Sequence, residues 1–369
     1  MTTMADNKEN RIPNVPPLRF PGFSEEWERK RFRDVCNITT GNKNTQDKSD
    51  DGIYPFYVRS QIVERINSWT FDGEAILTAG DGVGVGKVFH YSTGKIGVHQ
   101  RVYILSDFKC DGKYLYSYFA GHFYNRVKRM SAKNSVDSVR MEMIADMPIS
   151  LPSTEEQKKI GHLLALLDER IATQNKIIED LKKLKSAISL NVLHSDTWEQ
   201  FKIKDIAQIG RGRVISSIEI SQQKNPTYPV YSSQTSNDGI MGYLDDYMFE
   251  GEYISWTTDG ANAGTVFYRN GKFNCTNVCG LLKLTKGFDT HFVSLVLAEA
   301  TKKYVSINLA NPKLMNNTMG NIQIRLPKLE EQKRISIVFR VLQRLWTVHN
   351  SLLTEYIKQK QYLLSQMFI

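Results

Sequence analysis

One glycine-rich stretch, Gly80–Lys87, has a spacing that suggests a phosphate-binding loop. Such a loop needs a glycine five residues before its Gly-Lys pair and a serine or threonine directly after it. Asp81 and Val88 occupy those two positions, and the dinucleotide pattern GxGxxG is not met either. The corresponding stretch later in the chain, Thr258–Thr265, has no lysine. The stretch is therefore interpreted as a hairpin turn and not as a nucleotide site.

No other set of residues has the spacing of a catalytic or metal site. The seven histidines form no HExxH pair, and the sequence contains no GxSxG motif and no acidic cluster with two-metal spacing. The four cysteines form no CxxC pair, so reduced thiols are expected rather than zinc ligands or disulfides. The sequence thus predicts no catalytic residue, no metal site and no cofactor in this chain.

Polar loops that occur in both halves of the chain fit nucleic acid better. Lysine and arginine bind phosphates and read guanine, while asparagine and glutamine read adenine. The candidate DNA-binding residues are Lys43, Asn44, Arg59, Gln61, Lys133, Arg140, Arg211, Arg213, Lys224, Gln234, Lys313 and Asn316. At any one of these positions an ordinary solvated loop residue remains the alternative, so the argument rests on the set.

The charge balance agrees with a polyanionic partner without proving one. There are 48 Lys and Arg against 39 Asp and Glu, which gives a formal net charge of +9. No apolar run approaches the ~18 residues needed to span a bilayer. Met1–Asn10 is polar and has no hydrophobic core of a signal peptide. A cytoplasmic protein without a membrane partner is expected.

The chain contains a long internal repeat. Leu151–Ile160 (LPSTEEQKKI) recurs as Leu326–Ile335 (LPKLEEQKRI), and shorter upstream pairs follow in the same order. Solenoid units usually run about 20–50 residues, which is much shorter than this repeat. The pattern indicates a duplicated domain, each copy followed by a helix.

Each repeated domain has a strand-rich pattern and one helical stretch. Short apolar runs such as Glu74–Thr78 and Lys95–Val98 are typical of strands. Asp72-Gly73 and Ser92–Gly94 are predicted to be tight turns, since glycine tolerates the left-handed backbone that such turns need. Lys113–Met130 is predicted to be helical. Two α+β domains of one fold are expected.

A long helix follows each domain. The apolar positions alternate by three and four residues, as in a coiled-coil seam. The seam is predicted to consist of Ile160, Leu164, Leu167, Ile171, Ile178, Leu181 and Ile188 in the first helix, and Ile335, Val338, Leu342, Leu345, Leu352, Tyr356 and Leu363 in the second.

The two helices are expected to pair with each other as an antiparallel intramolecular coiled coil. The alternative is that each helix packs on its own domain, but a rod of about 60 Å would overhang a domain whose radius of gyration is about 14 Å. Each seam has one polar position, at Gln174 or Asn175 and at His349. These either set the register or lie at solvated edges.

The chain resembles the specificity subunit of type I restriction–modification systems. The resemblance is carried by the opening Val15–Phe23 with Trp27, and by the twice-repeated Leu-Pro…Glu-Glu-Gln-Lys junction. It implies an N-terminal arm, two target recognition domains, a central spacer helix and a distal helix. In chain order, the arm is 1–20, the first target recognition domain 21–153 and the spacer helix 154–195. The second target recognition domain is 196–328 and the distal helix 329–369.

The resemblance also implies the partners. These are double-stranded DNA with a bipartite target, two modification (methyltransferase) subunits and two restriction subunits. S-adenosylmethionine, ATP and magnesium would be bound by those subunits. Each domain would read one half-site, and the paired helices would fix the distance between the halves.

Two other classes of function remain open at this stage. A stand-alone sequence-specific regulator would use the same domains without methyltransferase partners. A fused nuclease or methyltransferase would have a site that the sequence does not reveal.

Overall fold

A computed structural model of the chain describes residues 14–82, 84–130, 138–306 and 311–369. These residues form two compact units. The first comprises the chain up to Lys176 together with Asn350–Ile369, and the second comprises Ile177–His349.

The β-rich part of the first unit, Glu28–Leu151, is called the first head. Its strands are β1 Glu28–Arg31, β2 Asn37–Thr40, β3 Tyr54–Tyr57, β4 Glu64–Ile66, β5 Phe71–Ala79, β6 Phe89–Val98, β7 Val102–Ser106 and β8 Pro148–Leu151. Its helices are α1 Phe32–Val35, α2 Gly112–Met130 and α3 Met141–Ala145, with a 3-10 turn at Thr45–Asp47.

Six strands of the first head form one sheet in the order β2-β7-β5-β6-β3-β4. Both faces of β5 are covered, because Ile76 packs in the cluster that contains α2, while Ala75 and Leu77 belong to a second cluster. The aromatic residue Phe89 of β6 meets Phe119 of α2 with 5.4 Å between the ring centroids. The first and last strands of the head, β1 and β8, form a separate antiparallel pair.

The second head, Glu199–Leu326, has the same plan. Its strands are β9 Glu199–Lys202, β10 Ala207–Arg211, β11 Tyr228–Tyr231, β12 Ile240–Leu244, β13 Phe249–Glu250, β14 Tyr253–Thr257, β15 Val266–Arg269, β16 Lys272–Cys275, β17 Cys279–Leu284 and β18 Gln323–Leu326. Its helices are α5 Ile203–Ile206, α6 Ser217–Ser221, α7 Thr290–Ala300 and α8 Asn316–Asn321, with 3-10 turns at Ser236–Gly239 and Thr301–Lys303.

The sheet of the second head is the first head's sheet broken in two. Its parts have the orders β10-β17-β14-β15 and β12-β11-β16-β13, which together repeat the order seen in the first head. The break falls at Gly251 and Gly271, whose backbones hydrogen-bond each other at 3.0 and 3.2 Å. The matching glycines of the first head, Gly73 and Gly94, lie opposite each other inside β5 and β6. The prediction of tight turns at Asp72-Gly73 and Ser92–Gly94 was therefore wrong, because cross-strand pairing continues through both.

Each head is followed by a long helix, α4 Thr154–Val192 and α9 Leu329–Gln366. The repeated Leu-Pro…Gln motif makes the same junction twice. In the first unit the buried Gln157 accepts a hydrogen bond from the Asp111 backbone N–H at 2.9 Å and donates to the Pro152 carbonyl at 2.8 Å.

The same junction recurs in the second unit. Gln332 accepts from the Asp289 backbone N–H at 2.9 Å and donates to the Pro327 carbonyl at 2.8 Å. Asp289 caps α7 by accepting from the Phe292 N–H at 2.7 Å. The glutamine therefore ties the start of the long helix to the start of the head's own helix.

The two long helices pack together in opposite directions. In the first unit Lys360 of α9 pairs with Asp168 of α4, and Arg170 lies 5.7 Å from the ring centroid of Tyr356. Met367, directly after α9, is buried in the cluster that contains the first turns of α4. In the second unit the last turns of α4 pack against the start of α9 within the core of the second head.

The structure corrects three of the seven predicted seam positions on α9. Val338, Leu345 and Leu352 are exposed by 45%, 42% and 39%. The buried or half-buried stripe consists of Ile335, Phe339, Leu342, Trp346, His349, Leu353, Tyr356, Lys360, Leu363 and Met367. It too alternates by four and three, so α9 has two apolar stripes, and spacing alone does not say which one faces α4.

On α4 the predicted positions lie on one side. Ile160, Leu164, Leu167 and Ile178 are buried, and Ile171, Leu181 and Ile188 are half-buried. Of the two polar candidates, Gln174 is half-buried while Asn175 is exposed. The α+β fold with two similar domains and two long antiparallel helices is confirmed.

Two leucines on the same helix give a matched test of the corrected stripe. Leu342 is 8% exposed and Leu345 is 42% exposed. Leu342→Ala should lower the free energy of unfolding by about 2–5 kcal/mol, since it removes buried methyl groups and leaves a cavity. Leu345→Ala should stay within about 0.5 kcal/mol of the parent. Urea unfolding followed by circular dichroism measures both, and equal losses would contradict the assignment.

Candidate nucleic-acid interface

Five loops of the first head meet at one edge of its sheet, called the first tip. They comprise residues 41–45, 58–63, 80–86, 99–101 and 138–140, with residue 83 outside the described part. Backbone hydrogen bonds link them: Gln100 N–H to the Lys43 carbonyl at 2.8 Å, and Val139 N–H to the Gly80 carbonyl at 2.7 Å. The glycine-rich stretch is the turn between the antiparallel strands β5 and β6, as predicted.

A glycine in the first loop of each tip allows the backbone of that loop to approach a neighbouring strand closely. A Cβ on Gly41 would lie 2.2 Å from the Val98 carbonyl oxygen, and one on Gly212 would lie 1.8 Å from that of Cys275. Both distances are far inside van der Waals contact, so only glycine fits. Lys43, two residues after Gly41, and Arg213, directly after Gly212, each donate from the backbone N–H to the same carbonyl at 3.1 Å.

An aspartate at the first tip holds two arginines. Asp81 accepts a hydrogen bond from Arg59 at 2.8 Å and another from Arg101. Burial by itself would raise the pKa of Asp81, but the hydrogen bonds from Arg101 and Arg59 together outweigh it and lower the pKa. The carboxylate is therefore ionised at neutral pH, and both guanidinium groups stay exposed beside it.

Amide and imidazole groups lie beside these charges. Gln100 donates from Nε2 to Asn44 Oδ1 at 2.7 Å, and His99 Nε2 lies 3.3 Å from Thr45 Oγ1. Burial and the nearby Arg59 charge lower the pKa of His99, so its imidazole is neutral at pH 7. The first tip thus offers both cations for phosphates and amides for base edges.

The second tip has the same construction with different side chains. It comprises residues 211–219, 232–239, 258–265, 276–278 and 311–316. Arg213 forms an ion pair with Glu219, and Arg211 donates from Nε to Asn316 Oδ1 at 2.9 Å. The bridge between Asp259 and Lys313 matches the one between Asp81 and Ser138 in the first head.

The structure groups most of the predicted DNA-binding residues at the tips, but not all of them. Gln61 and Arg140 are exposed at the first tip. Gln234 belongs to the second tip, but its side chain turns inward and donates to the Ile240 carbonyl. Lys224 lies at the opposite end of β11 and β12, where its N–H bonds to Asp245 Oδ2 at 3.1 Å. Lys133 lies outside the described residues.

Sequence reasoning missed three residues of the first tip, namely His99, Gln100 and Arg101. They lie between strands β6 and β7, where two apolar runs are separated by polar residues. That pattern was the available signal. The corresponding turn in the second half, Thr276–Val278, contains no cation.

The described residues contain no group of three or more His, Cys, Asp or Glu side chains placed to hold a metal ion. None of the helices in the described ranges is long and apolar enough to cross a membrane. The side chains gathered at the tips can donate and accept hydrogen bonds and can neutralise phosphates, which are the functions of a DNA-reading surface.

Comparison with known proteins identifies the family. Residues 24–183 and 195–358 each match the type I restriction modification DNA specificity domain. The chain belongs to this family. Its members are the non-catalytic specificity subunits of type I restriction–modification systems, and DNA target recognition is the function of this chain.

Individual relatives agree with the family match. S.MpnORF201P of Mycoplasma pneumoniae, provisionally named a type I specificity subunit, is 37% identical over 206 residues, or 55% of this chain and 85% of that protein. The specificity subunit of the type I restriction enzyme MpnII from the same organism is 43% identical over 150 residues, or 40% of this chain and 44% of that protein.

A solved structure has the same fold. The crystal structure of the S subunit of a type I restriction–modification system from M. genitalium matches with a TM-score of 0.78 at 15% identity. The match covers 96% of this chain and 99% of that chain.

Removing the shared carboxylate tests the role of the first tip in this specificity subunit. Asp81→Asn should free Arg59 and Arg101, so that affinity for non-specific duplex rises and the salt slope steepens by about one unit for each added phosphate contact. Discrimination between specific and non-specific DNA should fall, because the arginines lose their fixed geometry. Fluorescence anisotropy at several salt concentrations measures both.

Asp72→Asn is the matched control, since it changes the net charge equally at the other end of β5 from the Asp81 loop. If the two variants behave alike, the effect is one of net charge only and the tip has no special role.

Proposed function

We propose that this specificity subunit reads a bipartite duplex site, with the first head contacting one half-site and the second head the other. The observation that carries the proposal is the duplicated tip. Two heads with the same strand order present their polar loops at the same sheet edge, each with a cation at the position shared by Lys43 and Arg213.

The differences between the tips support two different half-sites. The first tip has the Arg59–Asp81–Arg101 cluster, whereas the second has the pairs Arg213–Glu219 and Arg211–Asn316. Ion pairs between exposed side chains contribute only about 0–1 kcal/mol. A phosphate or a guanine edge can therefore replace the carboxylate partner at low cost. Lys43, Asn44, Gln61, Arg140, Lys313 and Asn316 are proposed as further contacts, whereas the position of Lys224 gives it no support.

The exposed stripe of α9 supports the proposed protein partners. Val338, Val341, Leu345 and Val348 are spaced by three and four residues and are 45%, 52%, 42% and 47% exposed. A regular apolar stripe of this kind is typical of a surface that packs against further helices. We propose that two modification subunits dock on the paired helices and that two restriction subunits complete the complex. In type I systems the cofactors belong to those subunits, and S-adenosylmethionine, ATP and magnesium are expected there.

Selection from a randomised duplex pool tests the bipartite reading. The assembled methyltransferase should enrich two short conserved blocks separated by a gap of fixed length and free sequence. Replacing residues 21–153 by the equivalent head of another specificity subunit should change one block only. Enrichment of a single continuous block, or a change in both blocks after the exchange, would contradict the proposal.

The paired helices offer a second test, in which their length sets the gap between the half-sites. Because α4 and α9 are antiparallel, insertions must be made in both. Seven residues placed after Asp180 and after Val348 keep the seam in phase and add about 10 Å, or roughly three base pairs. The gap should lengthen by that amount with both blocks unchanged. An unchanged gap in a folded, assembling variant would overturn the ruler.

A further inference from the structure

The second head buries an arginine that the fold does not require. Arg269, at the end of β15, is 2% exposed. Its guanidinium carbon lies 3.6 Å from the ring centroid of Tyr231 and 4.4 Å from that of Phe267. Burying a cation is costly unless it is paired and hydrogen-bonded. The residues that bind Arg269, and the residue at the equivalent position of the first head, should therefore indicate its role.

The first head has a serine at this position. Tyr253 pairs with Arg269 across β14 and β15, and Ala75 pairs with Ser92 across the matching strands of the first head. Ser92 accepts a hydrogen bond from the Tyr57 hydroxyl at 3.0 Å, which completes a neutral arrangement. The same scaffold is thus built without a charge here, so the arginine serves something specific to the second head.

Arg269 reaches from the core to one turn of the second tip. Its Nε donates to Ser255 Oγ at 3.0 Å, and one terminal nitrogen donates to Asp238 Oδ2 at 2.8 Å. The Asp238 side chain is 68% exposed. A buried cation therefore holds an exposed loop from beneath.

The turn it holds has an unusual backbone. Asn237, Asp238 and Gly239 have φ values of 49°, 53° and 81°. Two successive non-glycine residues in the left-handed region are costly and persist only where the surroundings fix them. At Gly239 a Cβ would also lie 3.1 Å from an Arg269 nitrogen. The arginine and the glycine together determine the shape of the turn.

Other contacts fix the flanks of the turn and leave its apex exposed. Asn262 donates to the Ser233 carbonyl at 3.3 Å, and the Ser232 N–H donates to the Gly239 carbonyl at 2.9 Å. Residues 235–238 remain exposed. The amide of Asn237 lies in this apex, and an asparagine amide can make two hydrogen bonds to an adenine edge.

We propose that Arg269 is a positioning residue for base recognition, which holds the 235–239 turn so that Asn237 faces a base of the second half-site. This inference rests on the proposed function of the second head. Arg269 itself is buried, so we do not expect it to contact a phosphate. Its loss should change which bases are preferred without changing the electrostatic part of binding.

Two variants remove the ion pair between Arg269 and Asp238, one by changing each partner. Asp238→Gly removes the carboxylate at an exposed position and suits the left-handed backbone. Arg269 keeps its hydrogen bond to Ser255 and its contacts with Tyr231 and Phe267 in this variant. Arg269→Met removes the charge from the core. Asp238→Asn is the conservative variant, because it keeps an oxygen acceptor and tolerates the same backbone. Asp245→Gly is the matched control, since Asp245 likewise holds a loop, at the opposite end of β11 and β12.

The assembled methyltransferase with each variant is used to select from a randomised duplex pool, and affinities are then measured for the selected duplex and its single-base substitutions. Asp238→Gly and Arg269→Met should each reduce discrimination about tenfold at the same one or two positions of the second half-site. The first half-site and the salt slope should be unchanged. Asp238→Asn should retain most of the discrimination, and Asp245→Gly all of it. The double variant should lose no more than either single one.

Selection of the parental second half-site by Asp238→Gly, with undiminished discrimination, overturns the inference. So does an equal loss at both half-sites, which would mean a general structural role. If Arg269→Met fails to fold, Asp238→Gly decides the question alone. Failure of the unmodified protein to select any bipartite motif would instead refute the proposed function, so the two failures are distinguishable.

Discussion

The arrangement of this protein depends on a buried glutamine at the start of each long helix. Gln157 and Gln332 are 5% and 1% exposed, and each joins a proline carbonyl to the backbone N–H of the aspartate at the start of the head's own helix. A buried polar group left without its partners costs about 1–3 kcal/mol. Loss of either hydrogen bond of the glutamine would therefore destabilise the junction. The angle between the long helix and the head follows from this junction.

Because the junction is the same in both halves, the heads can differ at their tips without losing their attachment. The backbone positions that bring the loops together are shared, as the pairs Gly41 and Gly212, or Asp81 and Asp259, illustrate. The side chains at these edges differ, from the Asp81 cluster in one head to the buried Arg269 in the other. A constant scaffold with variable loops is what recognition of two different half-sites requires.

Much of this could be predicted from the sequence. The repeated Leu-Pro…Gln motif located both helix starts, and the spacing of the polar loops indicated most of the tip residues. The phase of the α9 seam could not be predicted, since Leu342 and Leu345 lie on two apolar stripes of equal regularity. Arg101 and Arg269 were missed because their neighbours are distant in sequence and are brought close by strand register. Lys224 was predicted to bind DNA, but it adjoins the end of β11 that lies away from the tip. Which end of a strand lies at the tip depends on the strand register as well.

Photo-crosslinking would test most directly whether each head reads its own half-site. A photoreactive amino acid placed at Gln61, exposed at the first tip, or at Lys313, exposed at the second, leaves the scaffold intact. With the assembled methyltransferase on its selected duplex, the crosslinks from Gln61 should map to one half-site and those from Lys313 to the other. Crosslinks from both positions to the same half-site would contradict the arrangement of one head per half-site.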